Sequence, residues 1–167
     1  MPLTQKETQL LQDQKSHEKI CIEKYQKYAQ QATDPNLKQL FQTYAQQEQQ
    51  HLNTIESILN GQVPNMNQSQ SQQSQSSSQQ QPAQSNQQNN TQAQATTNAS
   101  VPNQKDMMLC SDMLMTEKYV SGAYDTAIFE FTNAQTRQAL NHIQKEEQEH
   151  GEGIFNYMSS HNMYSVQ

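Results

Sequence analysis

Tryptophan is absent from the 167 residues, cysteine occurs twice, glycine four times and proline five times, and only 32% of the chain is hydrophobic. Two cysteines, Cys21 and Cys110, make neither a thiolate metal site nor a framework of bridges, so each reads as a small apolar residue. Basic residues are few, 10 Lys+Arg against 16 Asp+Glu for a net charge of −6, and no basic stripe exists to neutralise phosphates. Nucleic acid is therefore not an expected partner. No apolar run approaches the roughly 18 residues of a membrane helix, which excludes a membrane-spanning role. The polar start Met1-Pro2-Leu3-Thr4-Gln5-Lys6 lacks the apolar stretch of a secretory signal, so synthesis in the cytoplasm without a signal peptide is expected.

Charge is missing altogether from Ser57 to Gln104. From Gln62 onward this stretch is mostly Gln, Ser, Asn, Thr and Ala, broken by Pro64, Pro82 and Pro102, and it accounts for the low mean hydropathy of −1.06. Such a tract cannot bury enough apolar surface to offset its ordering entropy, which predicts a disordered linker over residues 61–103. Two segments remain, 3–60 and 104–160, each long enough for a pair of helices.

Both segments carry helix signals. Thr4 followed by Glu7 is a capping box, and Leu11, Cys21, Tyr25, Tyr28 and Ala32 then recur at helical steps with Glu18 in the same stripe. Asp34-Pro35 caps a second helix whose inner face holds Leu37, Leu40, Tyr44, Glu48, His51, Ile55 and Ile58, ending near Gly61. After the linker, Asn103 caps a third helix with Asp106 in its first turn and Glu117 among Cys110, Leu114, Tyr124, Ile128 and Phe131. Asn133 opens a fourth, with Leu140, Ile143, Glu147, His150, Ile154 and Tyr157 inward. The expected fold is all-α: an antiparallel four-helix bundle of two duplicated hairpins joined by a long crossover. A hairpin cannot bury its apolar face alone, so the two pack within one chain or, exchanged across a flexible hinge, in a swapped dimer.

Glu48-Gln-Gln-His51 and Glu147-Gln-Glu-His150 repeat one tetrapeptide, and each begins 30 residues after a lone glutamate in an apolar stripe, Glu18 or Glu117. All three corresponding pairs, Glu18 and Glu117, Glu48 and Glu147, and His51 and His150, are offset by 99 residues, the mark of an internal duplication. Residues i and i+3 share a helical face, so each tetrapeptide delivers a carboxylate and an imidazole to one point in a core. Two lone glutamates plus two Glu-x-x-His pairs are the donor set of a di-metal carboxylate bundle. Four buried carboxylates need neutralising, and two divalent cations supply +4 against −4. Oxygen donors with two imidazoles suit iron(II) or manganese(II), iron being favoured here. Tyr25 and Tyr124, seven residues beyond Glu18 and Glu117, are core aromatics or hydrogen-bond donors behind the ligands. His17, His142 and His161 have no counterparts in the repeat and are expected to face solvent.

This six-residue pattern, with a tyrosine seven residues after the first glutamate, resembles the ferritin-like superfamily of ferritins, rubrerythrins and manganese catalases. More narrowly, Asp112-Met113-Leu114-Met115-Thr116-Glu117-Lys118-Tyr119, Tyr124 and the segment from Tyr157-Met158 to Met163-Tyr164 resemble the spore coat protein F family of endospore-forming bacteria, over residues 105 to 164. That likeness implies a spore coat location, other coat proteins as partners and a homo-oligomer or hairpin-swapped dimer as the assembly. The intact Glu147 and His150 depart from relatives that are degenerate there, toward metal competence. Two functions follow: a coat protein with a dinuclear ferritin-like domain, or a di-metal oxidase or peroxidase acting on dioxygen, hydrogen peroxide or iron(II).

Overall fold

A computed structural model of the chain describes residues 2–64 and 102–164; most of the 61–103 linker lies outside the described residues. Four helices, α1 (Gln5–Gln31), α2 (Pro35–Leu59), α3 (Gln104–Glu130) and α4 (Ala134–Ser160), make up the described residues, with no strand among them.

Each helix starts where its capping residue stands. The Thr4 hydroxyl accepts from the Glu7 amide while Glu7 accepts from the Thr4 amide, and Asp34, Asn103 and Asn133 each accept from amides in the first turn that follows. Pro35 sits at the first position of α2, where its missing N–H costs nothing. α1 gives way to α2 within Ala32, Thr33 and Asp34, and α3 to α4 within Phe131, Thr132 and Asn133. Connections this short force each pair into an antiparallel hairpin.

The hairpins pack with α1 against α3 and α2 against α4, both antiparallel. Tyr25, late in α1, reaches Glu117 in mid-α3, and Tyr124, late in α3, reaches Glu18 in mid-α1. Two carboxylates tie the ends. Glu7 accepts from the Thr132 amide and hydroxyl at 3.0 and 3.1 Å, and Asp106, its counterpart 99 residues on, accepts from the Thr33 and Asp34 amides at 2.8 and 3.0 Å. Each hairpin thus clamps the turn of the other by the same device. Backbone donors hold the Glu7 carboxyl down at about 2, those of Thr132 foremost.

Apolar side chains form two clusters along the bundle axis. Tyr25, Phe41, Met113 and Ile154 anchor one, and Leu11, Ile55, Tyr124, Phe131 and Leu140 the other. Cys21 and Cys110 are buried, free and packed in these clusters as small apolar groups. Truncating a fully buried aromatic such as Phe41 to Ala should cost about 3–5 kcal/mol. Between the clusters lies a polar layer in mid-bundle. Topology also constrains the crossover: α2 ends beside Leu3 and Thr132, whereas α3 begins beside the Thr33–Asp34 turn at the other end. The end of α2 and the start of α3 therefore lie at opposite ends of the bundle, about 38 Å apart for a 25-residue helix.

Candidate metal centre

Helical spacing brings all six sequence-predicted ligands to the polar layer. Glu18 comes from α1, Glu48 and His51 from α2, Glu117 from α3, and Glu147 and His150 from α4; each is at most 2% exposed. They form two overlapping tetrads, Glu18, Glu48, His51 and Glu147 in one and Glu48, Glu117, Glu147 and His150 in the other, with one donor atom per residue and all within 4.8 Å of one another. Glu48 and Glu147 belong to both, the placement a bridging carboxylate needs, while each lone glutamate and histidine serves one tetrad.

Both imidazoles turn the same way. His51 Nδ1 lies 3.1 Å from Glu147, 3.4 Å from Glu48 and 3.6 Å from Glu18, and His150 Nδ1 lies 3.1 Å from Glu48 and 3.8 Å from Glu117. The Nε2 atoms point outward, His51 to Glu146 at 2.9 Å and His150 to Gln47 at 3.1 Å. A neutral imidazole that donates from Nε2 keeps its Nδ1 lone pair for a cation. The rings stack at 5.7 Å.

The donor set fits a pair of cations on an observation independent of spacing. Oε2 of Glu18, Glu48, Glu117 and Glu147 is buried in every case and has no hydrogen-bond partner among the described residues. Buried acceptors are normally paired, and four orphans converging on one layer are what cation ligands look like. Their electrostatics say the same. Burial, with the charge of Glu48 adding to it, lifts Glu18 and Glu147 to about 7 against the opposing pull of His51. Burial and the neighbouring Glu147 put Glu117 well above the carboxylate range. Burial alone would neutralise His51, but the surrounding carboxylates of Glu146, Glu147, Glu18 and Glu48 together outweigh it and hold its pKa well above the usual value. His150, whose outward partner is a neutral amide, is pushed by burial down to about 4.

Tyr25 and Tyr124 donate hydroxyl hydrogen bonds to Oε1 of Glu117 and of Glu18 respectively, each across to the other hairpin. Burial, then the surrounding carboxylates, raises both phenols well above their usual pKa, so they remain donors. They are core aromatics and carboxylate partners at once. Glu146 and Gln47 are partners that ligand spacing alone does not single out. The 99-residue offset pairs them with each other, and that signal was there to find. His142, with its side chain 38% exposed, lies at the surface and also comes within 3.3 Å of Glu146, behind His51. His17 packs edge-on against Tyr119 and His161 lies 3.4 Å from Asp34, so these two are likewise engaged at the surface.

A cavity of about 730 Å³ at one end of the bundle, between Leu3, Ile58 and Thr136, touches none of the six residues. A smaller one, about 360 Å³ between α3 and α4, is lined by Glu117 and Glu147 themselves. Among the described residues, no helix is long and apolar enough to cross a membrane.

No curated protein and no solved structure matches the chain. Residues 105–167, which contain all of α4 and all but the first residue of α3, match the family model for the Coat F domain, and this supports the spore coat protein F family for the C-terminal hairpin.

Proposed function

We propose that the chain is a spore coat protein whose helices form a ferritin-like domain holding two divalent metal ions, iron in preference to manganese. Two overlapping tetrads that share Glu48 and Glu147 and leave four buried carboxylate oxygens unpartnered carry this reading. The Coat F match supports the coat assignment and, with it, other coat proteins as partners. A homo-oligomer or a dimer exchanging hairpins is the matching assembly.

In this reading Glu18 and His51 would hold one ion and Glu117 and His150 the other, with Glu48 and Glu147 available to both. Bound there, such ions supply Lewis acidity and, for a redox metal, one-electron chemistry. The chain's own part is positioning. Tyr25 and Tyr124 fix the terminal carboxylates, Glu146 and Gln47 fix the imidazoles through Nε2, and the apolar clusters on either side restrict water. An anionic partner on one histidine and a neutral one on the other make the halves electronically unequal.

Metal-free protein incubated anaerobically with iron(II) should take up about two ions per chain. Metal analysis that finds none, or finds uptake undiminished after Glu48→Gln and Glu147→Gln together, would sink the site. A second reading, a di-metal oxidase or peroxidase, draws support from the cavity that leads to Glu117 and Glu147. Consumption of hydrogen peroxide or iron(II) faster than a metal-free control selects it; binding that raises the melting temperature without turnover selects the structural role.

A further inference from the structure

The duplication makes the two sides of the candidate centre comparable residue by residue, and besides Glu146 against Gln47 they differ in what walls them off from solvent. Between α3 and α4, Leu114, Lys118, Ser121, Gln148 and Gly151 surround a cavity of about 360 Å³ whose remaining walls are Glu117 and Glu147. Lys118 and Gln148 are exposed, so the cavity opens to solvent, and at its floor lie Glu117 and Glu147, 2% and 0% exposed and each with an unpartnered Oε2. Ninety-nine residues earlier, the positions of Ser121 and Gly151 are held by Ile22 and Leu52. These are 9% and 8% exposed and stand beside Glu18 and Glu48, with large apolar side chains where the other half has a hydroxymethyl group and a hydrogen.

Gly151 has no conformational need to be glycine. It lies within α4 at an ordinary helical φ, and a Cβ there would make only van der Waals contacts, 3.7 Å to Leu114 Cδ1 and 3.9 Å to Glu117 Cβ. Glycine inside a helix costs roughly 0.5–1 kcal/mol relative to alanine. What its missing side chain does provide is room in the cavity wall beside Glu117.

We propose that divalent cations reach the four carboxylates from one side only, through the opening between α3 and α4 at Ser121 and Gly151, while Ile22 and Leu52 close the equivalent route between α1 and α2. This rests on the two-metal reading of the site, and it adds a direction to it. Cations arriving this way meet Glu117 and Glu147 first; Glu18 and His51 fill last.

Loading kinetics test it on the full chain. Cobalt(II) uptake by metal-free protein is followed by visible absorption, and the end point is measured by metal analysis after dialysis. Gly151→Leu and Ser121→Ile each install the apolar residue of the closed side. Each should slow both uptake and extraction by a chelator roughly tenfold, about 1.4 kcal/mol on the barrier, with the end-point stoichiometry unchanged. Gly151→Ala, for which the structure has room, should give an intermediate slowing. Adding Leu52→Ala to Gly151→Leu should recover part of the rate by opening the other side. Parental rates in folded Gly151→Leu and Ser121→Ile proteins overturn the proposed route while leaving the site intact. A parent protein that binds no cobalt(II) or iron(II) overturns the site itself, a different and distinguishable result.

Discussion

Raising the pH should weaken the metal-free fold and strengthen the metal-loaded one. Glu18 and Glu147 have pKa values of about 7 in the folded chain, against an ordinary 4.5, burial being the chief cause. A carboxyl raised in this way leaves stability intact below pH 4.5 and removes it as pH climbs through 7. At about 1.4 kcal/mol per pH unit the full loss is about 3–4 kcal/mol for either group alone. Glu117, raised well above the usual range, adds loss in the same direction and at higher pH. His150 works the other way. Burial lowers it from 6.5 to about 4, so the fold gains as pH rises between those values, again by about 3 kcal/mol. His150 offsets one carboxyl, while His51, held well above its usual value by the carboxylates around it, adds loss in the same direction as pH rises, so the net loss from pH 5 to pH 8 is about 3 kcal/mol or more, a large share of the roughly 5–15 kcal/mol that holds a domain together.

Urea unfolding, followed by circular dichroism with chelator present, reads this directly. With a slope of roughly 1–2 kcal/mol/M, the midpoint at pH 8 should fall below that at pH 5 by on the order of 2 M. Saturating metal should reverse the order, because cations bind deprotonated ligands and their affinity rises with pH. Glu48→Gln with Glu147→Gln should flatten the metal-free dependence by removing two of the four charges. A metal-free protein equally stable at both pH values would refute the premise that these carboxylates are uncompensated in the core.

Three further outcomes follow from single contacts. Tyr25→Phe or Tyr124→Phe removes the hydroxyl that holds Glu117 or Glu18, and metal affinity measured by competition with a chelator should fall about 10–100-fold. Glu7→Gln breaks the charged clamp onto Thr132 and should cost about 1–3 kcal/mol in urea unfolding at pH 7. Because Glu7 sits at about 2 in the folded chain, its contribution is present above pH 4.5 and disappears as pH falls through 2, so the variant and parent should converge in acid. Gly153→Ala places a Cβ where the Tyr44 hydroxyl stands and must displace the ring that lies 4.3 Å from the His150 ring, with a destabilisation of about 1–3 kcal/mol seen as a lower melting temperature.

Helix number and starts were legible in the chain because capping chemistry is local: Thr4, Asp34, Asn103 and Asn133 each act on amides within three residues. The six candidate ligands were legible for a different reason, since Glu-x-x-His fixes two donors on one face and the 99-residue offset identifies which glutamates complete the set. Contacts between hairpins were not. That Tyr25 reaches Glu117 rather than Glu18, two turns away on its own helix, depends on α1 and α3 running antiparallel, and no local spacing states it. The clamps of Glu7 and Asp106 were visible only as first-turn acids. Their second role, closing the opposite turn, needs the bundle to exist first. The duplication therefore does two kinds of work. Where the halves agree, as in the ligands, tyrosines and clamps, it marks what the fold requires of both. Where they differ, as at Gly151 against Leu52, Ser121 against Ile22 and Glu146 against Gln47, the fold has tolerated either residue, and the difference marks where one half can take on a property that the other lacks.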